Sequence, residues 1–268
     1  MNRSSWNKFV KTRERFRCLA EELGYSLPNL KNIQQKFADS RAETSYTVET
    51  PVVYNSALDD ITINDEIKLI LVADNPGRRE QAAENRRYLV GPSGKIAKKF
   101  FLNNPVLGID FLKNVIILNK TPIHSPRTVE LRELCRLEKT PKKNHTEIQR
   151  HGGNFKGSLA GALEESQKNM AALLLEFHEA LGCPVWVTGY SEMRKNGIFE
   201  VYTEKLKELY ADKQEMYKQI YFYRHFSMNQ FTIDLKKQAV PGETVVESLR
   251  RIGAAYRERI LEERRTQG

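Results

Sequence analysis

Four short apolar runs, separated by longer segments with helical periodicity, dominate the hydrophobic pattern of the chain. Each run is rich in strand-forming residues and is followed by turn or polar residues, which is typical of a strand covered on both faces. The runs are IKLILVAD at 67–74, NVIILNK at 114–120, PVWVTGY at 184–190 and QIYFYRHF at 219–226. The pattern therefore predicts four strands.

The segments between these runs repeat apolar residues at helical spacing. The segment 158–182 begins at a capping candidate, Ser158, and ends at Gly182. Further helices are predicted over 93–104, with Ser93 as the cap, around 198–210, and over 242–265. Strands that alternate with helices predict an α/β fold with three α/β/α layers, a central four-stranded parallel sheet and right-handed crossovers.

The first sixty residues differ from the rest. Residues 4–27 predict an amphipathic helix with a basic face, and the polar segment 31–66 is interpreted as irregular. We therefore expect an N-terminal helical extension at 1–60 and the α/β domain at 61–268.

Charge and composition narrow the class of protein. The net charge of +9 suggests an anionic partner such as nucleic acid, although solubility alone could also explain it. The three cysteines are far apart and lack metal-binding spacing, so neither a zinc site nor an iron-sulfur cluster is predicted, and no cofactor is expected. The chain shows no membrane-spanning run and no signal-peptide core, so we expect a cytoplasmic monomer without a membrane partner, associated with the nucleoid if bacterial.

The ends of the predicted strands hold the candidate chemistry, because ligands of parallel sheets bind outside the carboxyl ends of the strands. The four ends carry Asp74-Asn75-Pro76-Gly77, Asn119-Lys120-Thr121-Pro122, Thr188-Gly189-Tyr190-Ser191 and Arg224-His225-Phe226-Ser227. An Asn amide can hold a heterocycle or orient a water molecule, and a His can donate to an oxygen where negative charge develops. Cleavage of a base from its sugar would use all of these groups.

Each of these residues also has a purely structural interpretation. Asn-Pro-Gly is more often a turn, Asn119 could cap the following turn, and His225 could form a surface pair with Arg224. Their convergence at one edge of one predicted sheet favours a site. The other histidines, His124, His145, His151 and His178, are expected to be solvated.

One basic stretch stays open to interpretation, and one apparent phosphate loop is rejected. The segment 135–157 could contact DNA or be a solvated loop. GPSGK at 91–95 lacks the spacing of a phosphate-binding loop, which excludes a nucleoside triphosphatase of that type.

The order of the motifs resembles the uracil-DNA glycosylase superfamily, in particular its single-strand-selective monofunctional and mismatch-specific branch. ADNPG at 73–77 matches the Gly-x-Asn-Pro-Gly motif, NKTP at 119–122 matches Asn-x-x-Pro, and HFS at 225–227 partly matches His-Pro-Ser. YLVGPSG at 88–94 is similar to the Pro-Phe-Val-Gly-x-x-Gly segment of the thermophile type. The resemblance covers roughly residues 67 to 235. The chain departs from it at Ala73, Leu89 and Phe226.

The resemblance implies two catalytic residues and a base-binding pocket. Asn75 would orient the attacking water, and His225 would donate to uracil O2 as the glycosidic bond breaks. Asn119 would read the Watson-Crick edge of the base. The remaining base-binding positions would be the backbone near Asp74 and Gly77, and Leu89 at the family's stacking position with Tyr88 as a substitute.

The resemblance also implies contacts with the DNA. Ser93 and Gly94, at a helix N-terminus, would bind a phosphate. Ser227, Met228, Asn229 and Phe231 would form the loop that enters the gap left by the extruded base, with Met228 or Phe231 as the wedge.

The expected function is thus that of a monofunctional DNA N-glycosylase that removes uracil or a related deaminated base from single-stranded or mismatched DNA, without a metal. Two alternatives stay open. One is a catalytically inactive DNA-binding member of the same fold. The other is a nucleoside or nucleotide hydrolase or binder that uses the same strand-end pocket.

Overall fold

A four-stranded parallel sheet forms the centre of the molecule, which is described here from a computed structural model over residues 1–40, 45–138 and 158–262. The strand order is β2-β1-β3-β4. The strands are β1 Leu69–Ala73, β2 Val115–Asn119, β3 Val185–Thr188 and β4 Ile220–Tyr223. Each lies within one of the four apolar runs, so the predicted strands and the parallel sheet are confirmed.

The register of the strands brings their carboxyl ends to one edge. Ala73 of β1 pairs with Asn119 of β2, and Thr188 of β3 pairs with Tyr223 of β4. Strand β1 lies in the middle of the sheet, and all five of its residues are buried, which explains its continuous apolar sequence. The edge formed by the carboxyl ends of the four strands is called the strand-exit edge below.

Helices cover both faces of the sheet and produce the predicted three layers. Alternate strand residues such as Ile70, Val72 and Phe222 belong to one apolar cluster, which includes residues of α1, α5 and α6. Leu71, Trp186 and their neighbours belong to a second cluster with residues of α3, α8 and α9. The helices are α1 Arg3–Ser26, α2 Leu30–Asp39, α3 Pro92–Asn103, α4 Glu130–Glu138, α5 Leu159–Leu181, α6 Glu200–Tyr210, α7 Gln214–Lys218, α8 Gln230–Lys237 and α9 Val245–Leu261.

The N-terminal region packs on the core of the α/β sheet. The Phe9 ring of α1 lies 5.4 Å from that of Phe177 in α5. The stretch interpreted as irregular contains α2, and its Val52 and Val53 are buried in the same cluster as β1. The prediction of an irregular segment was therefore wrong for α2, where Leu30, Ile33 and Phe37 recur at helical spacing that the sequence reasoning overlooked. The domain boundary at residue 60 stays a prediction.

Helix capping agrees with the sequence in α5 and differs in α3. The Ser158 side chain accepts a hydrogen bond from the Gly161 backbone, and Gly182 ends α5 with a left-handed φ of 61°. Helix α3 instead begins at Pro92 after Gly91, so Ser93 lies in its first turn and is not the cap. Proline at the first helical position loses no hydrogen bond, which explains this earlier start.

Two of the four remaining histidines are buried, which corrects the expectation that all are solvated. His124 lies near the strand-exit edge, and His178 lies against Tyr210 and Gln219. His145 and His151 lie outside the described residues, as does most of the basic stretch 135–157. Within the described ranges, no helix is long and apolar enough to cross a membrane, and no group of His, Cys, Asp or Glu could hold a metal ion.

Candidate active site at the strand-exit edge

A buried ion pair ties three of the strand ends together. Asp74 follows β1 directly and Lys120 follows β2 directly. The Lys120 ammonium donates to Asp74 Oδ1 and to the Thr188 carbonyl oxygen, both at 2.5 Å. Lys120 is 0% exposed, and its Nζ lies 5.0 Å from the centre of the Phe199 ring. The sequence motifs gave no role to Lys120, yet it is the residue that joins β1, β2 and β3.

The surroundings of Asp74 leave no room for a side chain at residue 189. Gly189 has a φ of +78°, and a Cβ placed there would lie 2.4 Å from Asp74 Oδ1. Burial lowers the pKa of Lys120, whereas the Asp74 carboxylate beside it acts to raise that pKa. The pair is thus enclosed by protein, and only the Asp74 side chain keeps a small exposed area.

Asn75 is oriented by the loop that follows β2. Its amide nitrogen donates to the carbonyl and hydroxyl oxygens of Ser125, each at 3.0 Å. The Thr128 hydroxyl lies 3.2 Å from Asn75 Oδ1 and 3.0 Å from Asp74 Oδ2. The nitrogen also lies 3.2 Å from the Pro76 carbonyl oxygen, so these three acceptors fix the orientation of the amide, and its oxygen keeps a second lone pair that can accept from water.

His225 presents one ring nitrogen without a partner. Its Nδ1 accepts a hydrogen bond from the Ser227 backbone at 2.9 Å, so the neutral ring carries its hydrogen on Nε2. Among the described residues, the ring forms no hydrogen bond through Nε2. Burial lowers the pKa of His225; Asp74 raises it and Lys120 lowers it, so both charges lie within electrostatic reach. The ring is thus a neutral N–H donor at neutral pH.

Asn119 contributes an unpaired donor at the same edge. It is the last residue of β2 and is 1% exposed. Its amide nitrogen is buried and has no hydrogen-bond partner within the described part of the chain. A buried donor without a partner costs about 1 to 3 kcal/mol of folding free energy. A ligand oxygen that accepted a hydrogen bond from this group would remove that cost.

Glu80 is a carboxylate that the sequence reasoning missed. It accepts hydrogen bonds from the Gly77 backbone at 2.9 Å and from the Leu89 backbone at 2.8 Å. Burial raises the pKa of Glu80 to about 7. The Gly77 N–H is therefore bound within the protein, which corrects its expected role towards base or water. The sequence signal that could have indicated this contact is the spacing of Gly77 and Glu80, three residues apart.

His124 holds the Asn-Pro-Gly turn by a hydrogen bond to its proline carbonyl. Its Nδ1 donates to the Pro76 carbonyl at 2.8 Å, and its Nε2 lies 2.7 Å from the Tyr46 hydroxyl. Burial lowers the pKa of His124 to about 4, so the ring is neutral. Both of its nitrogens are used, which makes it a structural residue.

The two predicted stacking residues are buried by other parts of the protein. The Tyr88 side chain is buried, its hydroxyl donates to the Val53 carbonyl at 2.6 Å, and its ring packs near Phe16. Stacking of a base on Tyr88 is therefore excluded in this arrangement. Leu89 is also buried, and a Cβ at Gly94 would lie 1.4 Å from its carbonyl oxygen. Gly94 is thus needed for close packing of α3 and is buried, whereas Ser93 is partly exposed, and the phosphate contact of these two residues stays a prediction.

The loop after β4 divides the predicted DNA-binding residues into two groups. Met228 is 83% exposed and has a φ of 52°, and the adjacent Asn229 is exposed with a φ of 58°. Ser227 is partly exposed, and its backbone holds His225. Phe231, in contrast, is 2% exposed, and its ring stacks on Phe226 at 4.3 Å. Phe231 as a wedge was therefore wrong, and Met228 is the exposed apolar tip.

The strand-exit edge thus brings together the residues that carry most of the predicted chemistry, namely Asp74, Asn75, Asn119 and His225. Comparison with known proteins gives no match, since neither family models, curated proteins nor solved structures align with the chain. The function therefore has to be inferred from the side chains at this edge.

Proposed function

We propose that this protein is a monofunctional DNA N-glycosylase that hydrolyses the bond between deoxyribose and uracil or a related deaminated base. The observation that carries the proposal is the state of His225. Its Nδ1 is occupied by the Ser227 backbone, which leaves a neutral Nε2–H as a donor within electrostatic reach of Asp74 and Lys120.

A neutral donor suits the departure of the base. When the bond from sugar C1′ to base N1 breaks, its electron pair stays on the base, and much of the negative charge lies on O2. A fixed N–H group aimed at such an oxygen is worth about 2.7 to 4 kcal/mol in comparable sites. Because the His225 ring is held by Ser227, this donor needs little reorganisation during the reaction.

Asn119 supports selection of the base. Its carbonyl oxygen can accept from uracil N3–H, and its amide nitrogen can donate to uracil O4. Cytosine presents the opposite pattern of donors and acceptors, and mispairing leaves buried polar groups unsatisfied. The unpaired nitrogen of Asn119 is the donor that O4 would satisfy.

Asn75 supports delivery of the water. Ser125 fixes its amide nitrogen, so the amide oxygen can accept a hydrogen bond from a water aimed at C1′. The water oxygen bonds to C1′, one of its protons is released to solvent, and the base leaves as an anion that is later protonated. Asn75 orients the water and takes no proton.

A second candidate is a DNA-binding protein of this fold that has no catalytic activity. Lys120 favours it, because its buried side chain occupies the centre of the strand-exit edge and is paired with Asp74. The lack of an aromatic face at Tyr88 and Leu89 also favours it, since base stacking is worth about 1 to 3 kcal/mol per base.

The test is strand cleavage after alkali treatment of labelled oligonucleotides that contain uracil, hypoxanthine or xanthine, single-stranded and mismatched. Asn75→Ala and His225→Ala are compared with Asn64→Ala, which removes an exposed amide that precedes β1. Cleavage that the first two substitutions abolish and the third leaves intact would support the glycosylase.

The other results separate the alternatives. Salt-sensitive DNA binding without cleavage of any substrate would favour the inactive DNA-binding protein. Absence of DNA binding, together with binding or hydrolysis of free deoxyuridine, would favour a nucleoside-specific pocket.

A further inference from the structure

Three arginines surround one buried tyrosine beside the strand-exit edge. The guanidinium carbons of Arg194, Arg224 and Arg259 lie 5.4, 5.8 and 5.7 Å from the centre of the Tyr190 ring. They come from three parts of the chain: the end of the 3-10 turn at Tyr190–Met193, the exit of β4, and α9. These three residues are called the arginine cluster below.

The tyrosine at the centre of the cluster packs against a second aromatic ring. Tyr190 is buried, and its ring lies 4.4 Å from that of Tyr256. The Tyr256 hydroxyl lies 3.1 and 3.0 Å from the two carboxylate oxygens of Asp234. The guanidinium carbon of Arg259 also lies 5.5 Å from the centre of the Tyr256 ring, and all three arginines are exposed to solvent.

The positive charge of the cluster is only partly compensated. Arg224 lies 3.5 Å from Asp234, whose carboxylate is also engaged by Tyr256. Neither Arg194 nor Arg259 forms an ion pair with any residue in the described ranges. Contacts with an aromatic ring are worth roughly 0.5 to 1 kcal/mol at exposed sites, and they do not remove the repulsion between neighbouring cations. An anion bound at the cluster would reduce this repulsion.

The chemistry of the cluster fits phosphate. A guanidinium group presents planar, paired donors that match two oxygens of a phosphate, and it is more weakly hydrated than an ammonium group. Three such groups from separate elements offer donors to one anion, and of the three only Arg224 has to leave a carboxylate partner.

The position of the cluster links it to the candidate site. Arg224 immediately precedes His225, and Tyr190 immediately follows Gly189, which lies against Asp74. We propose that the arginine cluster binds backbone phosphates of the DNA strand next to the extruded nucleotide. This inference rests on the proposed function, since it assumes that DNA is the substrate.

The experiment measures how DNA affinity depends on salt. The probe is a fluorescently labelled single-stranded 15-mer with a tetrahydrofuran abasic analogue, which cannot be cleaved, and its Kd is followed by anisotropy between about 50 and 200 mM NaCl. The test variant is Arg194→Gln with Arg259→Gln. The control is Arg3→Gln with Lys113→Gln, which also removes two positive charges from exposed side chains. Both residues lie towards the amino ends of the strands: Lys113 shortly precedes β2, and Arg3 is close to Met1, whose amino group donates to the Ile63 carbonyl.

We expect the slope of log Kd against log salt to fall by about 0.7 for each phosphate that is no longer neutralised, or about 1.4 for the double variant. The control pair should keep the slope of the unchanged protein. Arg194→Lys with Arg259→Lys should restore most of the slope, because it restores the charge. An unchanged slope in the test variant, or an equal decrease in the control, would overturn the inference.

The outcome for the proposed function is measured separately, as excision of uracil at saturating protein. Normal excision with an unchanged slope would reject the phosphate site and keep the glycosylase. A lowered slope in a protein that excises no base would keep the phosphate site and reject the glycosylase.

Discussion

The loops that follow β2 and β4 end at the same edge of the sheet, yet they differ in how their polar groups are used. After β2, Lys120 and Thr121 are buried and bonded within the protein; the Thr121 hydroxyl lies 2.7 Å from that of Ser166. After β4, His225 keeps an open ring nitrogen, and Met228 is largely exposed. A loop that has satisfied its own polar groups provides a scaffold, whereas one with open groups can act on a ligand.

The two histidines of these loops show the difference most directly. His124 uses both nitrogens, on Pro76 and Tyr46, and His225 uses one, on Ser227. Burial lowers the pKa of both, so burial alone does not separate structural from functional imidazoles. The two histidines differ instead in the number of ring nitrogens left without a hydrogen bond.

The largest effect is expected from breaking the scaffold at Lys120. Lys120→Met should lower the free energy of unfolding by about 3 to 5 kcal/mol, because it leaves the buried Asp74 carboxylate without its partner. Urea denaturation measures this decrease. The double variant with Asp74→Leu should recover much of it, and a decrease below about 1 kcal/mol in the single variant would mean that the pair is not part of the scaffold.

Removal of the open donor after β4 should act on activity and not on folding. His225→Ala should slow base excision by about 10²- to 10³-fold, which corresponds to about 2.7 to 4 kcal/mol of transition-state stabilisation. Single-turnover cleavage and urea denaturation are measured on the same preparation. A large decrease in stability with unchanged excision would reverse the roles assigned to the two loops.

The pH dependence of stability should report on His124. Its pKa is about 4 in the folded protein and near 6.5 when unfolded, so the unfolded chain binds more protons between these values. Stability from this group is fully present above about pH 6.5 and is lost as the pH falls towards 4, by roughly 3 kcal/mol.

The variant His124→Gln isolates this contribution. Glu80, with a pKa raised to about 7, acts in the opposite sense, because its stabilising protonated form is lost as the pH rises from about 4.5 through 7. The difference between the unchanged protein and His124→Gln cancels the Glu80 contribution. A difference that does not vary with pH would show that His124 is not buried in neutral form.

The smallest effect is expected at the tip of the β4 loop. Met228→Ala should reduce excision from mismatched duplex DNA by roughly tenfold or less, because the gap left by an extruded base costs a few kcal/mol that an apolar wedge partly offsets. Single-stranded DNA needs no wedge and should be unaffected. An equal reduction on both substrates would assign Met228 another role.

The sequence predicted the strands and their common edge because continuous apolar runs and turn residues are local signals. Asp74, Asn75, Asn119 and His225 could be placed together for the same reason, since each follows or ends a strand whose parallel neighbours were predicted. Placement at the carboxyl ends of strands requires only the order of elements along the chain.

The missed features depend on contacts between residues that are distant in sequence. Lys120 resembles an ordinary surface lysine until it meets Asp74 and Thr188, which are 46 and 68 residues away. Tyr88 resembles an exposed ring until α1 covers it with Phe16. Phe231 resembles a wedge because it follows the strand end closely in sequence, and the sequence does not show that its ring stacks on Phe226. Tertiary packing decided each case.

The tie that Lys120 makes between three strands also bears on the rate of recognition. Since this part of the edge is ordered by folding, a nucleotide bound as proposed would not have to arrange it, and the ordering cost at binding would fall on the loop after β4. The preorganised part would favour a fast encounter limited by diffusion and charge, and the loop after β4 would set how long the complex lasts. On the proposed function, one buried lysine would thereby separate a part of the molecule that governs association from a part that governs release.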